Sequence, residues 1–329
     1  MVIVLSQLTH NKPDNMSTTD NIDVPDVCAN CGKGEEGSNS LKEGSNSLKA
    51  CTACKLVKYC NRECQIAHRP QHKKACKRRA AELHDEKLFK EVKSEDCPIC
   101  FQRLPTLLSG SKWYACCGKT ICNGCAYAPI YDDQGNVIDE EKCPFCRTPP
   151  SNSDEEMIKR DDRRIKMNDY IAIYNRGCDY ASGDRGLSQD YAKALEFWHQ
   201  AGELGSARSY FNIGLYYYRN RGDKVEEDKK KTIHYYELAA MHGHVKARGN
   251  LGSLEARAGN FGRALRHYMI AVRSGCNDSV NLVRKMYRNE HATKDDYSKA
   301  LRGYQSYLDE VKSDQRDEAA AFRDEYKYY

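Results

Sequence analysis

The sequence predicts a multidomain protein in which two small cysteine-rich fingers are followed by an all-α helical-repeat solenoid. Its 329 residues are more than one compact core usually takes. Fifteen of the 17 cysteines fall between Cys28 and Cys146, and only Cys178 and Cys276 follow. After residue 166 small and aromatic residues recur with a period of 32 to 38 residues. Such a period is typical of stacked helical units.

Composition excludes several classes of protein. The net charge of +5, from 52 basic and 47 acidic residues, is too small to indicate nucleic-acid binding by itself. Mean hydropathy is −0.81, and no apolar run reaches the length of a membrane span. Residues 1–25 lack the parts of a secretory signal and predict a flexible N-terminus. We therefore expect an intracellular protein, cytoplasmic or nuclear, without a membrane segment.

The cysteines indicate metal sites, because a reducing compartment keeps thiols free and makes a disulfide framework a poor interpretation. Eight candidate ligands come first: Cys28, Cys31, Cys51, Cys54, Cys60, Cys64, His72 and Cys76. Eight ligands make two tetrahedral zinc sites, and the spacing of His72 and Cys76 places both on one face of a helix. A segment with so few aliphatic residues needs bound metal to fold.

This first pattern resembles the MYND zinc finger, including Tyr59 before Cys60 and Gln65 after Cys64. The resemblance implies that Cys28, Cys31, Cys60 and Cys64 hold one ion and that Cys51, Cys54, His72 and Cys76 hold the other. It also implies binding of short, often proline-containing, partner peptides. His68 stands where the family usually has tryptophan and competes as a ligand, but His72 has the family position and is preferred.

Two neighbouring features of the first finger have simple interpretations. The sequence EGSNSLK occurs at 36–42 and again at 43–49, and it is best explained as a tolerated loop insertion. A basic cluster follows the finger, formed by Lys73, Lys74, Lys77, Arg78 and Arg79. It is a nuclear import signal, a nucleic-acid contact or a solvated helix face, and we favour the solvated face.

A second set of eight ligands comprises Cys97, Cys100, Cys116, Cys117, Cys122, Cys125, Cys143 and Cys146. The pattern resembles a RING finger, in which two zinc ions are held in a cross-brace. The resemblance implies that Cys97, Cys100, Cys122 and Cys125 share one ion and that Cys143 and Cys146 belong to the other. Lys119 occupies the usual histidine position, and a protonated lysine cannot be a ligand. Cys116 can replace it, so that Cys116 and Cys117 complete the second site. Four zinc ions are expected in all.

RING domains bind a ubiquitin-conjugating enzyme and position its thioester-linked ubiquitin, without a covalent catalytic residue of their own. The resemblance places Ile99 and Pro144 in the enzyme-binding groove and Arg147 against ubiquitin. The alternative for each is ordinary: Ile99 packs the finger, Pro144 shapes a zinc-binding turn and Arg147 is a surface charge. Ubiquitin-ligase activity is therefore the leading hypothesis, and a non-enzymatic scaffold is the second. A nuclear regulator that contacts nucleic acid through the basic cluster is the third.

The repeat pattern pairs a recurring glycine with a recurring aromatic residue. Trp198, Tyr236, Tyr268 and Tyr304 are 38, 32 and 36 residues apart, and Gly177, Gly214 and Gly252 recur with the same period. These residues resemble the Sel-one-like repeats, relatives of the tetratricopeptide repeat built from helix–turn–helix units. The resemblance implies a solenoid that binds protein partners, and the tyrosines are interpreted as packing residues between helices.

The predicted architecture is therefore two small zinc-stabilised cross-brace fingers followed by an all-α helical-repeat solenoid. Proline pairs, charged stretches and the repeat period give the expected boundaries. In chain order these are a flexible N-terminus at 1–25, a MYND-type finger at 26–77, a linker helix at 78–94, a RING-type finger at 95–148, a linker at 149–166, Sel-one-like repeats at 167–313 and a C-terminal tail at 314–329.

Overall fold

The computed structural model describes residues 26–34, 47–106, 110–128, 134, 136–137, 142–219, 225–322 and 324–329. The segment 1–25 and most of the EGSNSLK duplication lie outside these residues. The chain divides into two compact units, Met1–Glu86 and Lys87–Tyr329. Among the described residues, no helix combines the length and the apolar character needed to span a bilayer.

The first unit contains one small finger with a core made mainly of cysteines. Strand β1 (Lys49–Ala50) pairs antiparallel with β2 (Lys58–Tyr59), and helix α1 (Arg62–Leu88) follows. The buried side chains are Cys28, Leu48, Cys51, Cys54 and Tyr59. Two aliphatic or aromatic residues cannot stabilise a domain of this size, so its stability depends on what the cysteines bind.

Helix α1 differs from the predicted linker helix at 78–94. It begins at Arg62 within the finger and ends at Leu88, and residues 89–94 are not helical. The helix therefore continues out of the finger rather than starting after it. On its surface Arg79 pairs with Glu82 and Glu86, so part of the basic cluster is neutralised by neighbouring carboxylates. This pairing is consistent with a solvated face.

The second unit starts with the other finger. Strands β3 (Ser111–Tyr114) and β4 (Lys119–Cys122) form an antiparallel hairpin, with Ser111 opposite Cys122 and Tyr114 opposite Lys119. The short helix α2 (Asn123–Tyr127) follows directly. The core of this finger consists of Cys97, Leu104, Ile121, Cys122 and Cys125. It is as poor in aliphatic residues as the first finger.

The predicted linker at 149–166 is mostly helical. Helix α3 (Asp154–Lys166) begins after Ser153, whose hydroxyl accepts a hydrogen bond from the Glu156 amide. Acidic residues fill its first turn and basic residues its last turn, which suits the helix dipole. The acidic-to-basic order that marks this stretch in the sequence is thus the charge pattern of a helix.

Eight helices then form four antiparallel pairs. They are α4 (Tyr170–Ser182), α5 (Tyr191–Glu203), α6 (Ala207–Arg219), α7 (Val225–Met241), α8 (Val245–Arg257), α9 (Phe261–Arg273), α10 (Asn277–Arg288) and α11 (Lys294–Val311). The turns that join successive pairs are equivalent and include Gly205, Gly243 and Gly275, each with positive φ. This is the expected helical-repeat solenoid, which follows the zinc-finger region.

Within three pairs the recurring glycine of the first helix meets the recurring aromatic ring of the second. A Cβ atom at Gly177 would lie 2.6 Å from Trp198, one at Gly214 would lie 2.6 Å from Tyr236, and one at Gly252 would lie 2.5 Å from Tyr268. All three rings are buried. The two periodic signals in the sequence are therefore the two sides of one contact, in which glycine lets the ring approach the helix backbone.

This contact predicts opposite effects for two glycines of helix α8. Gly252→Ala should destabilise the protein by about 1–3 kcal/mol, because its methyl group overlaps Tyr268 and overpacking outweighs the gain in helix propensity. Gly249→Ala should stabilise it by roughly 0.5–1 kcal/mol, since its Cβ would meet only Ser279 at 3.6 Å. Urea unfolding of both variants checks the pair, and equal effects would contradict the packing.

The predicted C-terminal tail at 314–329 is a structured part of the second unit. Helix α12 (Asp314–Phe322) and a short 3-10 helix (Asp324–Tyr326) follow the last repeat. Ala319 and Tyr328 are buried, and Tyr127 of helix α2 packs on Phe322 with ring centroids 5.2 Å apart. The segment is ordered because it buries this apolar surface against the second finger.

Candidate metal centres

The described residues contain four clusters of potential metal ligands, and in each cluster the ligand atoms lie within 4.8 Å of one another. The first finger holds Cys28, Cys31, Cys60 and Cys64 together, and also Cys51, Cys54, His72 and Cys76. The second finger holds Cys97, Cys100, Cys122 and Cys125 together, and also Cys116, Cys117, Cys143 and Cys146. These are the sets expected from the sequence. In both fingers the two sets alternate along the chain, which is a cross-brace.

The sulfur positions fit tetrahedral zinc. Sulfurs about 2.3 Å from a zinc ion lie about 3.8 Å from each other in a regular tetrahedron. The observed Sγ–Sγ distances are 3.7 Å for Cys31–Cys60, 3.8 Å for Cys51–Cys76, 3.8 Å for Cys100–Cys122 and 3.7 Å for Cys117–Cys143. The donor set of thiolates with one imidazole is also the set that zinc prefers. All four clusters are therefore compatible with zinc binding.

Four C-x-x-C segments adopt the same turn. In each one the residue after the second cysteine donates its backbone N–H to the carbonyl of the first, and its φ is positive. The bonds run from Gly32 to Cys28, from Lys55 to Cys51, from Phe101 to Cys97 and from Arg147 to Cys143, at 2.8–2.9 Å. A left-handed backbone suits glycine, but three of the four positions carry other residues. The turn aims both thiols of a pair at one point.

The electrostatics of the Cys51, Cys54, His72 and Cys76 cluster suit a bound cation. Burial acts to raise the pKa of Cys51, but the Cys54 backbone N–H and further hydrogen bonds outweigh burial and lower this pKa to about 6. Burial and hydrogen bonds with Cys51 and Cys54 raise the pKa of Cys76 to about 12. One thiol of the cluster thus ionises readily and another stays protonated, because neighbouring thiolates repel each other. A divalent ion is what allows all of them to be thiolates at once.

The geometry distinguishes the two candidate histidines. His72 Nε2 lies 3.2 Å from Cys54 Sγ, inside the ligand cluster. His68 lies one turn earlier on α1, where its Nδ1 is 3.0 Å from the Tyr59 hydroxyl and its ring stacks on His72 at 5.6 Å. His72 is therefore the candidate ligand, and His68 packs against its ring outside the cluster.

Adjacent cysteines complete the fourth cluster. Cys116 and Cys117 lie in the turn between β3 and β4, with Cys116 Sγ 3.4 Å from Cys146 and Cys117 Sγ 3.7 Å from Cys143. Lys119 is outside the cluster, and its ammonium lies 5.8 Å from the centroid of the Phe145 ring. The tight turn lets two successive thiols point to one site, which answers the geometric difficulty of neighbouring ligands.

The residues expected to contact a conjugating enzyme lie at the surface of the second finger. Ile99 is 36% exposed on the Cys97–Cys100 turn, and Arg147 is exposed after the Cys143–Cys146 turn, which also carries the half-buried Pro144. Two exposed aromatic residues on the same turns escaped the sequence analysis: Phe101 is 79% exposed and Phe145 is 44% exposed. Each lies directly beside a ligand cysteine, and this position in the sequence was the signal that could have identified them as exposed.

Contacts between the second finger and the repeats were not foreseen from the sequence. Leu88 is fully buried, and the buried guanidinium of Arg248 donates hydrogen bonds to the Leu88 and Lys90 carbonyls at 2.8 and 2.9 Å. Phe89 lies under the guanidinium of Arg266, 3.8 Å from the ring centroid. The segment that enters the finger is thus fixed to helices α8 and α9.

Further along, the finger packs on the turns between repeats. Val92 lies against Gly243, and Thr106 donates to the Ser274 carbonyl at 2.8 Å beside Gly275. The Thr106 amide also donates to the hydroxyl of buried Tyr307 at 3.0 Å. The finger and the segment that leads into it therefore pack against two equivalent turns of successive repeats.

Comparison with protein families supports the interpretation of the first finger and of the first two repeats. Residues 28–76 match the MYND finger family model, and residues 171–206 and 207–244 each match the Sel1 repeat model. The two repeat matches correspond to helix pairs α4–α5 and α6–α7. The MYND finger and Sel1 repeats expected from the sequence are thereby confirmed.

Individual relatives include Sel1-repeat proteins. A sel1-like repeat-containing protein, L21, of Acanthamoeba polyphaga mimivirus is 27% identical over 127 residues, which are 38% of this chain and 22% of the viral protein. A Sel1 repeat protein from Oxalobacter formigenes is 27% identical with a TM-score of 0.41, covering 49% of this chain and 67% of that one. The c5321 antigen of uropathogenic Escherichia coli, which has an SLR fold, is 17% identical with a TM-score of 0.36, covering 56% and 42%. The chain thus spans about a fifth of the viral relative.

Proposed function

We propose that this protein is an interaction adaptor whose second finger is a RING-type module that recruits a charged ubiquitin-conjugating enzyme. A MYND finger and Sel1 repeats are modules of protein–protein interaction, and both are present. In the proposal they select or hold the partners to which ubiquitin is delivered. Closed clusters of four protein ligands leave no open zinc position for hydrolytic chemistry, so zinc has a structural role here.

The observation that carries the ligase proposal is the pairing of a cross-brace with exposed side chains on its turns. Eight cysteines alternate between two clusters, and the outer turns present Ile99, Pro144 and Arg147. Ile99, Phe101 and Phe145 are exposed apolar side chains on these turns, and exposed apolar surface is typical of a protein-binding site. Apolar side chains beside the cationic Arg147 suit a protein partner whose surface combines apolar and acidic groups.

The proposed activity consists of positioning alone. The finger binds the conjugating enzyme through Ile99 and Pro144, and Arg147 holds the linked ubiquitin so that its thioester is open to attack by a substrate lysine. Holding reacting groups in line lowers the barrier without a covalent residue of the finger. A rigidly held finger favours this role. Arg248 of the repeats binds the segment that leads into the finger, and Thr106 of the finger binds the repeats.

Discharge of ubiquitin from a panel of charged conjugating enzymes tests the proposal. The wild-type chain should accelerate discharge to free lysine, and Ile99→Ala and Arg147→Gly should each reduce that acceleration at least tenfold. Arg147→Gly is a clean variant, because Arg147 has φ of 60° and glycine adopts this backbone without strain. Leu301→Ala, which truncates an apolar residue 46% exposed on the repeats, should leave discharge unchanged.

If the zinc-loaded wild-type chain accelerates ubiquitin discharge from none of the conjugating enzymes, the result favours the second candidate, a non-enzymatic scaffold. The observation that favours it is Lys119 at the position where a RING finger usually has its histidine ligand. In the scaffold the same exposed turns would bind a protein partner without ubiquitin transfer.

A further inference from the structure

A fully buried arginine from the C-terminal helix reaches the metal cluster of the second finger. Arg316 is 1% exposed, and its Nη2 lies 3.8 Å from Cys100 Sγ and 3.5 Å from the Gln102 carbonyl. Its Nη1 donates to the carbonyls of Arg103 and Val311 at 2.8 and 2.7 Å. One side chain thus bonds the ligand-bearing turn of the finger and the end of the last repeat helix together.

This arginine has an unusual electrostatic setting. Among the described residues, no aspartate or glutamate forms an ion pair with Arg316, although a buried guanidinium is costly without a countercharge. The nearby negative charge is that of the Cys97, Cys100, Cys122 and Cys125 cluster. Four thiolates around one divalent ion retain two negative charges, which a neighbouring cation offsets. Arg316 is therefore a buried cationic partner of this cluster.

Backbone packing reinforces the link between helix α12 and the cluster. A Cβ atom at Gly124 would lie 2.9 Å from the Arg316 backbone nitrogen, so helices α2 and α12 touch directly. Gly124 stands between Cys122 and Cys125, two members of the cluster. Any shift of this ligand loop on metal loss therefore displaces the surface on which α12 rests.

We propose that Arg316 is an outer-layer residue of the Cys97/Cys100/Cys122/Cys125 zinc site, and that docking of the C-terminal helix α12 depends on zinc at this site. The inference rests on zinc binding by this cluster and is independent of ligase activity. Linkage is reciprocal: docked α12 raises the affinity of the cluster for zinc, and bound zinc favours docking of α12. The docking of helix α12 then follows the occupancy of this zinc site.

The first test measures cysteine alkylation in the full-length, zinc-loaded protein under a chelator, with each cysteine followed by peptide mass spectrometry. Arg316→Met keeps the buried volume and removes the charge, and alkylation of Cys97, Cys100, Cys122 and Cys125 should become 10–100 times faster. The first-finger cysteines are the internal control and should react at the wild-type rate. The exposed Arg302→Met, which removes the same charge from α11, should change nothing.

The second test runs in the opposite direction and uses amide exchange. Cys97→Ser should raise the exchange rate of α12 amides at least tenfold, while α8 amides keep their wild-type protection. If Arg316→Met also makes Cys178 in the repeats reactive, the variant has lost its fold, and graded chelation of the wild-type protein replaces it. Protection of α12 that survives loss of zinc from this cluster, or equal alkylation rates in Arg316→Met and Arg302→Met, would overturn the proposal.

Discussion

Native mass spectrometry is expected to count four zinc ions on the wild-type chain and three on Cys116→Ser. Cys116 completes the fourth cluster, where its Sγ lies 3.4 Å from Cys146. A structural zinc contributes on the order of 10–16 kcal/mol to a small finger, and a hydroxyl is a poor substitute for a thiolate ligand. Loss of a ligand should therefore have a larger effect than any substitution outside the four clusters.

Cys276→Ser is the matched control for the zinc count. Cys276 precedes helix α10 in the repeats and belongs to none of the four clusters. A serine there can still accept the hydrogen bond that Ser279 donates to the sulfur at 3.2 Å. The variant should keep four ions. Four ions on Cys116→Ser as well would show that the adjacent cysteine pair is not a ligand pair.

Arg248→Met should cost about 3–5 kcal/mol of folding free energy, the second largest effect. Arg248 is 2% exposed, and burial lowers its pKa to about 10. Its loss leaves the carbonyls of Leu88 and Lys90 without their donors, and Leu88 is fully buried. Urea unfolding measures the cost, and faster amide exchange at residues 88–91 should accompany it.

Arg266→Met removes a neighbouring arginine that contacts the same segment in a different way. Arg266 is exposed and lies over the face of the Phe89 ring, an interaction of about 0.5–1 kcal/mol at an exposed site. Both variants remove one positive charge, so the difference between their unfolding free energies measures the buried hydrogen bonds of Arg248. Equal destabilisation by the two variants would mean that Arg248 does not anchor the finger.

Ligand sets and repeats could be predicted from the sequence because their signals are local or periodic. A C-x-x-C pair needs only one turn to aim two thiols at one ion, so spacing alone identifies it. The pairing of Gly214 with Tyr236 follows from two periodic signals that share one period. Such rules act between neighbours in the chain or between equivalent positions of a repeat.

Contacts between the finger and the repeats could not be predicted, because they join residues far apart in the chain. Arg248 and Leu88 are 160 residues apart, and Arg316 and Cys100 are 216 apart. Neither arginine differs in sequence from the many exposed arginines of this basic chain. The sequence of segment 314–329 predicts a tail for the same reason: its few apolar residues find their partners only in the folded finger.

The second finger and the repeats belong to one compact unit, and we expect them to unfold together. The two tryptophans of the chain allow a direct test, since Trp113 lies in β3 of the finger and Trp198 lies in helix α5 of the first repeat. In Trp198→Phe the remaining fluorescence reports the finger alone. Far-ultraviolet circular dichroism of the same samples reports mainly the repeat helices.

Urea unfolding of zinc-saturated Trp198→Phe, followed by both signals, is therefore the measurement to make. We predict coincident transitions with one midpoint, because the finger and the repeats share buried contacts and unfold cooperatively. Loss of the Trp113 signal at clearly lower urea than the helical signal would contradict the account. In that case the finger would be an independent module tethered to the solenoid.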